Sequence, residues 1–446
     1  MQLSERKWLI GLITVFVVAF GLRIAMTANF VGLDSPPDLA ANPDQQDYEQ
    51  FAHHLSTGQG YTLEDGTPTA RRAPGTSLAI SPVYALFGRS HMAARIWFCY
   101  LSAATCVAVM LIVVQVFGRT HAIVAGALLA VYPGHFYHSM HLVSEVPYGL
   151  ALSGAVALSL YSIRHKTLRI AALAGLCWGM AILTMPQIIL ALPIGAFAIA
   201  IAWMWMPKSQ WRLTAKQVMC QVALALAVVS PWVVRNAIVM DHPTLANTSG
   251  KTLWESHNEV TMLNPSWSGQ SIRLDYLEET YSKLPVDEVE ADREAWNRGM
   301  ASIREHRSQL PAVITAKLGR FLSPIKDTPN TMVKLSFAVA WILTIPFIGI
   351  GVWQTIKRNR TATFVALIPV AITFATVIIF YGSVRFRDSL APLFIAAAGV
   401  GITHVATTVI ARWKAKQDQD ENGVLATLPQ DQSGTTDEEQ VERKAA

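Results

Sequence analysis

The sequence predicts an all-α polytopic membrane protein of about ten transmembrane helices. Three observations carry that prediction. Apolar residues are 52% of the 446 and charged residues only 15%, against roughly 25% charged in soluble domains. The apolar residues are gathered into long blocks rather than spread along the chain. Lys and Arg then fall in alternate connections between the blocks. Length would allow about three soluble domains, but the blocking and a mean hydropathy of +0.32 argue against a soluble enzyme. The same numbers exclude a disordered chain, a collagen and a disulfide-rich mini-protein.

A span needs about 20 mostly apolar residues. Ten stretches qualify or nearly so: 8–28, 91–117, 120–134, 145–163, 168–185, 187–206, 216–234, 332–356, 361–381 and 390–411. The third is short, and the fifth and sixth meet at the tight turn Thr184-Met185-Pro186-Gln187. The first run is long for a signal-peptide core and holds Arg23 near its end, so it reads as a span.

With the N-terminus inside, the inner connections carry Arg6-Lys7, Arg119, Arg164-Lys166-Arg169, Lys208-Arg212-Lys216, Lys357-Arg358-Arg360 and Arg412-Lys414-Lys416. That is the positive-inside pattern, and an even number of spans returns the C-terminus to the cytoplasm. The net charge of +5 is thus mostly topology and implies no nucleic acid. The organisation follows: 1–28, first transmembrane helix; 29–90, external loop; 91–234, transmembrane helices two to seven; 235–331, external loop or domain; 332–411, transmembrane helices eight to ten; 412–446, a cytoplasmic tail whose polar composition predicts disorder. Cys99, Cys106, Cys177 and Cys220 lie in apolar runs without zinc-ligand or CxxC spacing, so no structural disulfide is expected. No internal repeat is evident.

Ionisable residues avoid the middles of the spans and collect at their outer ends: Arg23, Arg95, Glu145, Arg235, Lys334, Arg385, Arg387 and Asp388. An ion-coupled transporter should carry charge near the midplane. Long side chains at helix ends also serve as anchors, but positive-inside logic leaves few arginines outside. Arg71, Arg72, Arg235, Arg385 and Arg387 are all there, which suggests a phosphate-bearing ligand.

The first external loop contains Asn42-Pro43-Asp44-Gln45, an N-cap followed by a proline suited to the first helical position and a box-like Gln. Tyr48, Phe51, Ala52 and Leu55 then recur at helical spacing, predicting a short amphipathic helix on the membrane surface or on the spans. Asp44 falls on the apolar stripe and Asp47 flanks it. Carboxylates against an apolar surface gain basicity, which suits a general base; acids at a helix start also suit the macrodipole. A Gly-rich turn, Arg71-Arg72-Ala73-Pro74-Gly75 and a second amphipathic stretch, Leu78 to Phe87, follow. His138, His141 and Glu145 share a helical face compatible with zinc, or with interfacial histidines beside Tyr and Phe. A helix is expected over Val286 to Arg307.

This order of motifs resembles the GT-C membrane glycosyltransferases, in particular the bacterial relatives of protein O-mannosyltransferases and of the aminoarabinose transferase of lipid A. Asp44 and Tyr48 match that family's Asp and following Tyr on the first external helix. Arg72-Ala73-Pro74-Gly75 resembles its Arg/Lys-Pro-Pro segment. Tyr132-Pro133 with Ser144-Glu145, Pro231-Trp232 with Arg235-Asn236, Thr248-Ser249-Gly250 with Trp254, and Arg385-Phe386-Arg387 resemble its later motifs. Ala73 replaces an expected Pro, and Met185 stands where relatives often carry Arg.

The resemblance implies an enzyme taking a sugar from a polyprenyl-phosphate donor to an extracytoplasmic acceptor, lipid, glycan or protein, with inversion. Asp44 is then the expected base that activates the acceptor hydroxyl, with Asp47 beside it as the second expected catalytic residue. Tyr48, Arg71, Arg72, Glu145, Arg235, Arg385 and Arg387 are the expected substrate-binding residues. No cofactor is required, a divalent metal being left open, and the setting implied is a bacterial inner membrane. A flippase for the same lipid-linked sugar, or a membrane scaffold with an external binding segment, are the non-enzymatic alternatives.

Overall fold

The computed structural model describes residues 4–37, 42–202, 204 and 206–427, with side chains to 417. In chain order the helices are α1 (Glu5–Phe30), α2 (Asp44–Ser56), α3 (Gly75–Phe87), α4 (His91–Val114), α5 (Arg119–Val131), α6 (Pro133–Ser139), α7 (Glu145–His165), α8 (Leu168–Thr184), α9 (Ala191–Ala202) and α10 (Lys208–Met240). There follow α11 (Ser249–Ser256), α12 (Glu259–Leu263), α13 (Leu274–Thr280), α14 (Glu288–Glu305) and α15 (Leu310–Leu322). The last four are α16 (Thr331–Arg358), α17 (Arg360–Ile379), α18 (Val384–Ser389) and α19 (Ala391–Thr427). No β-strand occurs among the described residues, only an isolated bridge from Thr62 to Pro68.

Among the described residues, seven helices are long and apolar enough to cross a bilayer: α1, α4, α7, α10, α16, α17 and the part of α19 up to Gln417. The chain is an integral membrane protein. Three of the ten expected spans, 120–134, 168–185 and 187–206, correspond to shorter apolar helices. α5 has 13 residues, about 20 Å at 1.5 Å per residue, against a hydrocarbon core of about 30 Å. Pro133 explains the shortening. The residue before a proline is pushed out of the helical region, and Tyr132 is extended at φ −73°, ψ 117°. The chain restarts as α6 with Pro133 in its first turn.

The bundle packs through small residues. Ala103, Cys106, Ala122, Ala125 and Ala398 are fully buried where α1, α4, α5 and α19 meet, as close approach of helices in lipid requires. Arg23 is also fully buried and spends its guanidinium on the Ser102 hydroxyl and the Ala19 and Ala130 carbonyls. It is an interhelical tie.

The two long connections pack on each other. Glu288 accepts from the Thr69 hydroxyl (2.5 Å) and the Ala70 amide (3.0 Å), and Asn247 donates to Glu288 (3.0 Å). α2 buries Tyr48, Phe51 and Ala52, with Tyr48 and Ala52 packing with Ile80 and Tyr84 of α3 and Phe98 of α4. The expected amphipathic face is therefore real, and it meets protein. The expected cap is not made. α2 begins at Asp44, and no side chain caps its first turn. Gln45 instead uses its Oε1 to accept from the Leu142 amide at 3.1 Å, which ties the start of α2 to the start of α7.

The expected 286–307 helix appears as α14. The tail differs from expectation at its beginning: α19 continues to Thr427, so 412–427 is helical, and 428–446 lies outside the described residues. The stretch from Thr403 forms a unit of its own.

Candidate active site

Three devices bring charged groups from distant positions together. The Gln45–Leu142 bond sets Asp44 beside the N-terminus of α7, where Glu145 is the first residue. The Arg71–Pro74 segment is pinned by Gly75, whose position against the Leu183–Thr184 backbone leaves a Cβ only 2.6 Å from the nearest backbone atoms; no larger residue fits without a shift. The third device is the break between α17 and α19. The Gly382 amide donates to the Gly269 carbonyl (2.9 Å), the buried Lys317 ammonium donates to the Ile378 carbonyl (3.0 Å) and pairs with His257 Nε2 (2.7 Å), and α18 then presents Arg385.

The result is a chain of alternating charges. Arg385 donates from Nη1 to Asp44 Oδ2 at 2.7 Å and binds Glu145 through Nε and Nη2. Arg72 donates to Asp44 Oδ1 at 2.6 Å and to Asp47 Oδ2 at 2.9 Å. Arg71 reaches Asp47 at 3.4 Å and is half-exposed. Burial alone would raise the Asp44 pKa, but Arg385 and Arg72 hold it at about 2. The expectation that an apolar face raises its basicity is thus overturned: two guanidinium groups outweigh the burial. Burial likewise disfavours charge on Arg385, yet Glu145 and Asp44 keep it firmly protonated. Tyr48 lies beneath, its ionisation resisted by burial and then by Asp44.

Arg385 also lines a cavity of about 810 Å³. Its wall carries Lys326 and Arg320 as further cations, with Tyr137, His141 and Tyr381. Its rim is apolar, with Phe30 at the end of α1 and Met332 at the start of α16 both exposed. Lys326 lies 4.6 Å over the Tyr137 ring, and among the described residues it has no carboxylate within 4 Å.

Residues 71–234 match the family model described as dolichyl-phosphate-mannose-protein mannosyltransferase. No curated protein sequence matches the chain. Among solved structures, the oligosaccharyltransferase of Archaeoglobus fulgidus tethered with an acceptor peptide containing the NVT sequon superposes with TM-score 0.56 at 14% identity, over 91% of this chain and 50% of that one. The same archaeal enzyme in complex with an inhibitory peptide and a dolichol-phosphate gives 0.55 at 14% identity, over 93% and 52%. The chain has the GT-C fold. It spans about half the length of the archaeal enzyme. ArnT from Cupriavidus metallidurans bound to undecaprenyl phosphate matches more loosely, with TM-score 0.42 at 16% identity, over 90% and 79%.

Within this GT-C fold, the sequence-predicted residues divide. Asp44, Asp47, Tyr48, Arg71, Arg72, Glu145 and Arg385 converge. Arg235 does not join them: it donates to the Tyr61 and Thr69 carbonyls (both 2.8 Å), with its guanidinium 5.1 Å from the Trp232 ring. Arg387 is 1% exposed, donates to the Ser323 carbonyl and lies 4.2 Å over Trp341. Both brace the loops that carry the site. Trp254 of the Thr-Ser-Gly motif is likewise buried, under Arg298.

The zinc-compatible face is not assembled either. His138 pairs with Asp388 at 3.2 Å, and Arg385 takes Glu145. Among the described residues no three His, Cys, Asp or Glu side chains are grouped to hold a metal.

Sequence reasoning missed Lys326, Tyr381 and Glu255. Burial pushes the Tyr381 hydroxyl up to about 12. For Lys326 there was a signal, an additional cation on the predicted external side just before a span.

Proposed function

We propose that the chain is a membrane glycosyltransferase that moves a sugar from a polyprenyl-phosphate donor to an acceptor hydroxyl at the extracytoplasmic face of a bacterial inner membrane. One observation carries this: a single cavity joins an apolar rim at the α1 and α16 ends to the cations Arg385 and Lys326, with the Asp44 carboxylate on Arg385. The isoprenoid enters past Phe30 and Met332, and its phosphate meets Lys326 and Arg385. A phosphate leaving group is weakly basic and needs cationic stabilisation more than a general acid. The acceptor oxygen attacks the anomeric carbon, the carbon–oxygen bond to phosphate breaks with inversion, and Asp44 takes the acceptor's proton.

Asp44 is too acidic for that role while Arg72 and Arg385 both hold it. A bound phosphate draws on the same guanidinium groups and adds a negative charge beside the carboxylate. Both effects raise Asp44's basicity when the donor is in place. Donor binding therefore precedes activation of the acceptor.

Mass spectrometry of envelope glycans and lipids in a deletion strain tests the reading. The expected result is loss of one sugar from one acceptor together with accumulation of its lipid-linked donor. Unchanged glycans, with movement of labelled lipid across vesicles reconstituted with the protein, would instead establish the flippase.

A further inference from the structure

A second cavity lies toward the other end of the bundle. Its wall includes Leu160 of α7, fifteen residues beyond Glu145 and so about 22 Å further along that helix. The positive-inside pattern assigns this end to the cytoplasm. The cavity, of about 120 Å³, fills the fork between the consecutive helices α16 and α17, with α4, α7 and α19 as its floor.

The fork follows from where each arm is anchored. α16 is pressed on α19: a Cβ at Gly351 would lie 1.8 Å from the Ala397 carbonyl oxygen, and one at Gly401 would lie 2.1 Å from that of Phe347. α17 is anchored elsewhere, its Phe374 ring 4.8 Å from that of Phe321 on α15.

The chemistry of the wall selects a hydrocarbon. Every side chain in it is apolar except Thr355 and Thr363. Both hydroxyls are spent, donating to the Gly351 carbonyl (2.7 Å) and the Asn359 carbonyl (3.1 Å). A sugar or a nucleotide would leave its polar groups unpaired there, which is costly. Leu367 of the wall is exposed, so the cavity reaches the lipid-facing surface.

Its mouth is cationic. Arg358 lies 5.4 Å over the ring of the wall residue Phe117, and Arg360 stands two positions before the wall residue Ala362. Both are exposed, and among the described residues neither side chain donates a hydrogen bond or pairs with a carboxylate. No Asp or Glu occurs between Asp327 and Asp388, so the two helices bring no anion of their own. Other cations of this end are already spent: Arg119 pairs with Glu5, and Arg164 donates to the Gln115 carbonyl (2.7 Å).

We propose that the fork holds one acyl chain of an anionic glycerophospholipid of the cytoplasmic leaflet, with its phosphate on Arg358 and Arg360. The occupant must join a hydrocarbon tail to a negative headgroup at the bilayer surface, and basic pockets between spanning helices on this side suit such lipids. A zwitterionic lipid has the tail, but its amine meets cations that no carboxylate offsets. The bound chain fills the fork and fixes the spread of α16 and α17. The other end of α16 and the segment that follows α17 line the large cavity through Met332, Phe337 and Tyr381. The site stands whether or not the large cavity serves a transferase.

The test titrates the full-length protein, freed of lipid in detergent, with phosphatidylglycerol or with phosphatidylcholine of identical acyl chains. Native mass spectrometry counts the bound lipid. Wild type should take up one phosphatidylglycerol at concentrations where phosphatidylcholine stays unbound. Arg358→Gln combined with Arg360→Gln should weaken that site about 30-fold, at about 5-fold per charge. Ala366→Phe puts a ring into the fork without changing any charge and should remove the site, while its melting without added lipid stays near that of wild type. Equal binding of the two lipids, or wild-type phosphatidylglycerol binding by the double Gln variant, overturns the proposal. Wild-type binding by a folded Ala366→Phe protein overturns the placement of the chain in the fork. Displacement of the bound phosphatidylglycerol by an equimolar amount of undecaprenyl phosphate overturns the choice of a phospholipid.

Discussion

Replacing Asp44 by Asn tests both the frame and the chemistry of the site. The substitution removes the anion shared by Arg72 and Arg385 while keeping the side-chain shape. Asp44 lies at about 2 in the folded protein against an ordinary 3.8, which corresponds to roughly 2 kcal/mol of folded-state preference for the anion. Its side chain is only 21% exposed, so little of that is lost to solvent screening. The sign follows from the direction. A depressed carboxylate contributes its stability above the unfolded pKa and loses it as pH falls through the folded one. Asp44→Asn should therefore be less stable than wild type by about 2 kcal/mol at pH 7, with the gap narrowing below 3.8 and closing near 2. Melting in detergent at a series of pH values measures it. Turnover in deletion-strain membranes should fall by about 10²- to 10⁴-fold at normal protein levels. An Asp44→Asn enzyme with wild-type turnover would remove Asp44 from the chemistry. One with wild-type stability at pH 7 would refute the ion-pair frame.

Lys326→Gln removes a cavity cation that has no carboxylate partner among the described residues and should weaken donor binding about 10-fold, near 1.4 kcal/mol; retention of polyprenyl phosphate through purification reports it. Arg235→Ala leaves the Thr69 carbonyl without its donor and the Tyr61 carbonyl with only the Thr69 amide, costing about 1–3 kcal/mol in melting experiments, while polyprenyl phosphate retention stays near wild type. In a cysteine-free background, Asp44→Cys should react with an impermeant maleimide added outside intact cells, and Lys166→Cys should not; the reverse pattern would invert the topology and place the site in the cytoplasm.

The sequence made visible what is local. Apolar blocks mark the bundle, and the i, i+3, i+4, i+7 spacing marks α2. The meeting of Asp44 with Arg385 was not visible, because 341 positions separate them and only tertiary packing closes the gap. Span lengths failed at Pro133, where composition stays apolar but the backbone must turn. Arg235 and Arg387 show a different limit. An arginine reads as the same cation whether it faces carboxylates in a site or backbone carbonyls, and only the partners that the fold supplies separate the two roles. Asp44 shows the third. Its apolar setting was legible and argued for a raised pKa, yet the outcome was set by two arginines that only the fold supplies. Glu255 follows Trp254 in a short amphipathic helix, and nothing in that local pattern sets it apart from an ordinary surface carboxylate.

On the proposed transferase reading, the balance of charges lets an arginine-rich site persist without ligand and still accept a phosphate. Asp44, Asp47 and Glu145 supply three anions against Arg71, Arg72 and Arg385, so the cluster is neutral, and Arg72 and Arg385 are already largely desolvated and aimed. Lys326, like Arg320 on the same wall, is a cation without a carboxylate partner within 4 Å among the described residues, and unlike Arg320 it is not spent on backbone carbonyls at Ser266 and Ser268. A phosphate entering past Phe30 and Met332 meets that uncompensated charge first and then competes for Arg385, which has a second carboxylate, Glu145, to keep it in place. The arginine can therefore share itself with the phosphate without leaving its seat, while Asp44, losing part of its hold, becomes basic only when there is a donor to attack. A site built from unpaired arginines would bind phosphate more tightly, but polyprenyl phosphate would then leave slowly. On that reading, pre-pairing would weaken retention of the product and couple the base to the presence of the substrate.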